Sequence, residues 1–183
     1  MVALRPCTHA VMTTSPDGPA ATSRPTVRHL AQPVHLLALG FGSGLAPIAP
    51  GTFGSLVGLA FALALAPLGL AWNLLAVVVA TVAGIWICGE SARRLGVHDH
   101  PAIVWDEVAG MMITMLAAPE AWWGAPLAFV LFRAFDIAKP WPIREVDHGM
   151  AGGAGIMLDD VLAGIFAALV LLLCVSTWQG RVL

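Results

Sequence analysis

The sequence predicts an all-α fold, a multi-pass membrane helical bundle that includes short re-entrant or interrupted helices. Three observations predict it. Of the 183 residues, 58% are hydrophobic and 11% charged, with a mean hydropathy of +0.84; a soluble domain usually carries about 25% charged residues. The apolar residues gather in runs that allow crossings of about 20 residues each. Basic residues lie between those runs, and Trp72, Trp105, Trp122, Trp123 and Trp178 flank them as an interfacial belt does. The length suits one domain. A formal net charge of −2 without a basic stripe gives no reason to expect a nucleic-acid partner.

Residues 1–33 are rich in Pro, Thr, Ser and Ala, carry three Arg and hold Asp17 as their only acid, and are read as a disordered N-terminal tail. No long apolar core follows Met1, so no secretory signal is expected. Residues 34–183 form the expected membrane domain. Its first stretch is apolar but broken by Gly and Pro. The run 53–89 allows two crossings joined by a turn near Pro67 and Asn73. Residues 90–107 are polar. The apolar runs 108–118 and 122–132 are each shorter than a span, and are expected as an interrupted hairpin or as buried bundle helices. Residues 133–156 are polar and Gly-rich, and 161–178 is long enough to span once. Cys7, Cys88 and Cys174 have neither metal nor redox spacing, and Cys88 and Cys174 are read as small core residues.

The basic residues form three segments: the tail, Arg93 with Arg94, and Arg133 with Lys139 and Arg144. Two hairpins separate them, so all three can face one side, which the positive-inside rule makes cytoplasmic. The acidic clusters fall in the same loops or at their helix junctions.

Four motifs carry candidate chemistry. In the Gly-rich segment 40–55, Thr52 is expected as the N-cap of the following helix, leaving N–H groups near Gly51 and Thr52 for an anion. The alternative is a tight loop that serves helix packing. The segment lacks the Lys of a Walker A loop. In His98-Asp99-His100, the histidines are read as solvated loop residues, with metal ligation or a role behind the ligands as the alternatives.

Asp106-Glu107 and Asp159-Asp160 each open an apolar run. One acid would serve as a helix-dipole partner. Adjacent acids point about 100° apart on a helix, which makes that role insufficient for both. Four carboxylates on one membrane face call for a cation, and hard oxygen ligands suit Mg²⁺. Arg133, Asp136 and Lys139 are spaced by three on one helix face until Pro140 ends it. They make either a salt-bridge ladder or a site with Asp136 as ligand and the two cations on phosphate oxygens. Arg144 joins the same polar stretch as a substrate-binding candidate. Glu145, Asp147 and His148 are read as solvated or packing residues.

The segments GFGSGLAPIAPGTFGSL, GVHDHPAIVWDEVAGM, FRAFDIAKPWPIR and GGAGIMLDDVLAG, in this order, resemble the phosphatidylglycerophosphatase A family. The resemblance runs from about residue 35 to residue 178. It implies a helical, Mg²⁺-dependent, integral inner-membrane lipid phosphatase. Such an enzyme removes the terminal phosphate of phosphatidylglycerophosphate to give phosphatidylglycerol. The resemblance assigns no role to individual residues; from the residues themselves, Asp106, Glu107, Asp136, Asp159 and Asp160 are expected to hold metal. Asp106, Asp136, Arg133 and Lys139 are the expected catalytic set, and Gly51, Thr52 and Arg144 the expected substrate-binding set. The expected partners are the phospholipid substrate and membrane lipid.

Neither a phosphocysteine nor an aspartyl-phosphate route is expected; Ala138 stands where the latter needs a second Asp after Asp136. The competing class is a transporter or channel with an acidic ion site, which predicts acids near the membrane midplane and an internal repeat. A lipid phosphotransferase would need a longer spaced Asp signature. A non-catalytic assembly protein would not need carboxylates clustered with Arg and Lys.

Overall fold

The computed structural model describes residues 25–97, 100–141, 143–145, 150 and 152–179. Among the described residues the architecture is carried by the α-helices α1 (Pro33–Ala38), α2 (Pro50–Leu65), α3 (Leu70–Leu95), α4 (Trp105–Met115), α5 (Gly124–Ala138) and α6 (Gly153–Gln179), with a further helical stretch at 143–145. Three 3-10 turns, Val27–Ala31, Gly40–Leu45 and Ala66–Leu68, join the early elements, and no strand occurs among the described residues. The first of these turns and the start of α1 occupy part of the segment read as tail. Residues 1–24 of that tail lie outside the described residues.

Among the described residues, three helices are long and apolar enough to cross a membrane: α2 continued to Leu68, α3, and α6. The turn between the first two falls where the sequence places it. Pro67 sits in the 3-10 turn, and Gly69 takes φ 85°, open to glycine at little cost. Asn73 Nδ2 then donates to the carbonyls of Leu65 (3.1 Å) and Gly69 (2.8 Å), so its amide serves helix-end acceptors rather than facing lipid unpaired. On α3, Val77, Ala80, Gly84, Ile87, Cys88 and Ser91 make one buried stripe, while Val78, Val79, Val82, Ile85 and Trp86 are exposed on the other side. That division is the reverse of a polar surface and suits a lipid-facing wall.

The two short runs become α4 and α5, a hairpin inside the bundle. At 1.5 Å per residue, α4 is roughly 16 Å long, about half of the hydrocarbon thickness. Eight of its eleven residues are buried. It packs against α2, α3, α5 and α6, so the shortest of the later helices is the central one. Glycines let it approach its neighbours. A Cβ on Gly58 of α2 would lie 3.0 Å from Met111 Cβ and 2.5 Å from the Val108 carbonyl, and one on Gly164 of α6 would lie 2.5 Å from the Gly110 carbonyl. Thr114 Oγ1 donates to the Gly110 carbonyl at 3.0 Å and lies 3.3 Å from that of Gly164, satisfying its hydroxyl in the seam.

Several expectations are corrected. Trp105 is buried, with Nε1 donating to the Ala80 carbonyl at 3.0 Å, so it is a core residue and not part of an interfacial belt. Trp72 and Trp122 are exposed as expected, and the Trp178 side chain lies outside the described residues. Cys88 is a core residue, whereas Cys174 is exposed. Helix α6 starts at Gly153, so Asp159 and Asp160 lie inside its second turn and do not precede it. The N-cap of α2 is Ala49, in the left-handed region at φ 50°; Thr52 is the third helical residue.

Candidate metal and phosphate site

The topology brings four helix ends together. The starts of α2, α4 and α6 and the end of α5 meet at one end of the bundle, around a cleft of about 350 Å³. From α4 come Asp106 and Glu107, in its first turn, where the helix dipole favours negative charge. From α6 come Asp159 and Asp160, and from α5 come Arg133, Asp136 and Lys139. Gly51 of α2 faces them, since a Cβ there would collide with Glu107 Oε1 and lie 3.1 Å from Arg133 Nη1.

Five carboxylates thus share the cleft with two cations. Arg133 Nη1 donates to Asp136 Oδ2, one turn along α5. Lys139 leaves that ladder. It caps α5 in the left-handed region (φ 40°, ψ 59°), its N–H bonding the Phe135 carbonyl, and its Nζ donates to Asp159 Oδ2 of α6 at 2.6 Å. A non-glycine residue in this conformation costs on the order of 1–3 kcal/mol and persists where the surroundings enforce it. The three remaining acids, Asp106, Glu107 and Asp160, each offer an oxygen within 4.8 Å of the others.

Among the described residues, Asp106 Oδ1, Glu107 Oε2 and Asp160 Oδ1 are buried without a hydrogen-bond partner. Each such oxygen normally finds one. Burial drives the carboxyls of Asp106 and Glu107 upward. The charges of Glu107 and Asp160 add to the effect on Asp106, whereas Glu107, eased by its bond to Asp106, reaches about 7. Carboxylates this close, each with an unpartnered oxygen, fit a hard divalent cation, which would bind all three and offset their repulsion.

The structure thus brings together seven of the expected site residues and Gly51. Thr52 and Arg144 do not line the cleft. His100 sits outside it, its Nδ1 accepting the Ala102 N–H at 3.1 Å; His98, Asp99 and Asp147 lie outside the described residues. The Gly-rich segment divides by role. Cβ atoms on Gly40 and Gly54 would lie 2.8 and 2.7 Å from Val104 side-chain atoms, so these glycines receive Val104, two residues before Asp106. Of these glycines, Gly51 borders the acids, beside Ala49 and Pro50. Cys88 and Arg94 do stand at Cys-x₅-Arg spacing. Both belong to continuous α3, and Cys88 is fully buried with Sγ 3.8 Å from Met157 Sδ, so burial and not spacing rules out a phosphocysteine loop.

Fold and site together define an all-α membrane bundle with a carboxylate-lined cleft at one end. The profile of the family described as Phosphatidylglycerophosphatase A matches residues 36–175. Phosphatidylglycerophosphatase A of Escherichia coli (strain K12) is 45% identical over 157 residues, covering 84% of this chain and 90% of that protein. Its Haemophilus influenzae counterpart is 48% identical over 143 residues, covering 77% and 88%. A Bacteroides thetaiotaomicron protein, 40% identical over 151 residues (78% and 92%), carries the provisional name phosphatidylinositol-3-phosphatase. No solved structure matches. The chain belongs to the phosphatidylglycerophosphatase A family.

Proposed function

We propose that this protein hydrolyses the terminal phosphomonoester of phosphatidylglycerophosphate, releasing phosphate and phosphatidylglycerol in phospholipid biosynthesis. Family membership supplies the substrate. The observation that carries the chemistry is the Asp106, Glu107 and Asp160 cluster with its partnerless oxygens beside two cations. Mg²⁺ is the proposed ion, held by these three, with Asp136 and Asp159 lining the same cleft. When bound, it supplies charge to phosphate oxygens and lowers the pKa of a water.

The chain's own residues do the rest. Arg133 and Lys139 present positive charge to the phosphoryl oxygens, and their bonds to Asp136 and Asp159 fix where that charge sits before substrate arrives. Gly51 lets the Glu107 carboxylate lie against the start of α2, where any Cβ would collide with it. The apolar walls of α2, α3 and α6 keep the acyl chains in lipid while the headgroup reaches the cleft. We place the protein in the bacterial inner membrane with this cleft on the cytoplasmic side, where Arg93, Arg94, Arg133 and Lys139 would lie under the positive-inside rule. The acids gather at one end of the bundle, which argues against a midplane ion path.

The test is phosphate release from phosphatidylglycerophosphate in detergent micelles, with and without chelator. Asp106→Asn, Asp136→Asn and Asp160→Asn are each expected to lower turnover on the order of 100-fold or more. Wild-type turnover in all three would refute the site. A panel including phosphatidylinositol 3-phosphate decides the headgroup.

A further inference from the structure

Away from the cleft, α1 and α3 are joined by a polar pair that the proposed chemistry does not use. His35 Nδ1 and Ser91 Oγ share a hydrogen bond at 2.8 Å, across 56 residues of sequence. The two residues are 2% and 0% exposed. Burying a hydroxyl and an imidazole among apolar helices is costly unless each satisfies the other. Burial, then the charges of His29 and Arg94, lower the His35 pKa against the pull of Glu90, keeping the ring neutral. A second tie lies one helical turn away, where Arg94 Nη1 donates to Gln32 Oε1 at 3.1 Å.

What α1 holds in turn is the start of α4. The Ala38 carbonyl at its C-terminus accepts the Val104 N–H at 2.9 Å. Ala38 and Val104 are both fully buried. Val104 is the N-cap of α4, and its carbonyl accepts the Val108 N–H at 3.2 Å, the first bond of that helix. Its side chain is wedged between Gly40 and Gly54, where neither glycine leaves space for a Cβ. Asp106 and Glu107 follow within three residues. A continuous chain of contacts therefore runs from Ser91 through His35, Ala38 and Val104 to the two α4 carboxylates.

We propose that His35 is a positioning residue whose bond to Ser91 locks α1 onto α3 and so fixes the α4 N-terminus that presents Asp106 and Glu107. His35 does not line the cleft, and acts through Val104. Carboxylates that must converge on one ion tolerate little displacement, and losing a residue that orients ligands typically costs 10–100-fold in metal affinity or activity.

The inference rests on the metal-site reading for its effect on turnover, but not for its effect on structure. Full-length wild type, Ser91→Ala, His35→Ala and His35→Asn are compared in detergent. Hydrogen exchange of the segment around Val104–Val108 is measured beside that of α6, and Mg²⁺ is titrated by calorimetry and in the phosphate-release assay. Ser91→Ala and His35→Ala are expected to speed exchange at the α4 start while α6 is unchanged. They should also raise the half-saturating Mg²⁺ concentration about 10-fold, with KM for lipid unaltered. His35→Asn, whose amide can reach Ser91, is expected to restore most of both.

Wild-type exchange at the α4 start in Ser91→Ala and His35→Ala overturns the proposal. So does an equal rise in exchange across all helices, which would mark a general packing role. If His35→Ala does not fold, Ser91→Ala alone decides by the same readouts. If the wild type neither binds Mg²⁺ nor releases phosphate, the proposed function fails and exchange still judges the lock.

Discussion

Gly51 has no side chain, yet it sets the character of the site. Its Cα hydrogens face Glu107 and Arg133, and any Cβ would enter the Glu107 carboxylate. Gly51→Ala is therefore expected to fold, since it lies in the first turn of α2 with helical backbone, but to displace Glu107 and weaken cation binding by about 10-fold or more. Calorimetric titration with Mg²⁺ checks this; unchanged affinity would show that Glu107 is not a ligand. The raised carboxyls of Asp106 and Glu107 make a second prediction. Acids whose folded pKa lies above the unfolded one stabilise the fold at low pH, and that stability is lost as pH rises through the folded values. Cation-free protein should thus lose thermal stability between the ordinary carboxylate range and about pH 7, the Glu107 value. Bound cation displaces the protons, so the rise in Tm produced by Mg²⁺ should be larger at pH 8 than at pH 6. An equal rise at both would mean the acids are already charged without metal.

At the scale of elements, α4 carries most of the architecture. It is too short to cross a membrane and is held by glycine-mediated contacts with α2 and α6 rather than by lipid. A Cβ on Gly110 would lie 2.6 Å from Phe132 Cε2 and 2.7 Å from the Asp160 carbonyl. Gly110→Ala should push α4 from α5 and α6 at a cost of about 1–3 kcal/mol, seen as a lower midpoint in denaturant or heat. Because the Asp160 carbonyl is one of the atoms met, turnover should fall further than the stability loss explains. The same element shows where pattern fails. Its 11 residues have apolar character on nearly every side, which a single sequence reads equally well as part of a span or as a buried helix. Only the neighbours decide.

For the whole molecule, one end of the bundle collects the acids, Arg93, Arg94, Arg133 and Lys139, and the other collects the Ala66–Leu68 turn and the α4–α5 connection. Single-cysteine reporters at Arg93 and at Glu120, in a background without Cys7, Cys88 and Cys174, should label from opposite faces of sealed vesicles. Labelling of both from the same face would invalidate the proposed orientation.

The number of long apolar helices, the turn at Pro67–Asn73 and the residue types of the site were legible in the sequence, because run length and clustered charge are local properties. Roles within the site were not. Arg133 with Asp136 follows helical spacing, but Lys139 breaks from that face at a left-handed cap and meets Asp159 across helices. The hydrogen bond of His35 to Ser91 spans 56 residues and had no local signal. By itself the sequence determined that this is an apolar helical chain with its carboxylates and cations near helix ends. The tertiary structure alone decided which acids find a cation from the protein and which three are left close together with unpartnered oxygens, because pairing depends on distances of a few ångströms between elements far apart in the chain.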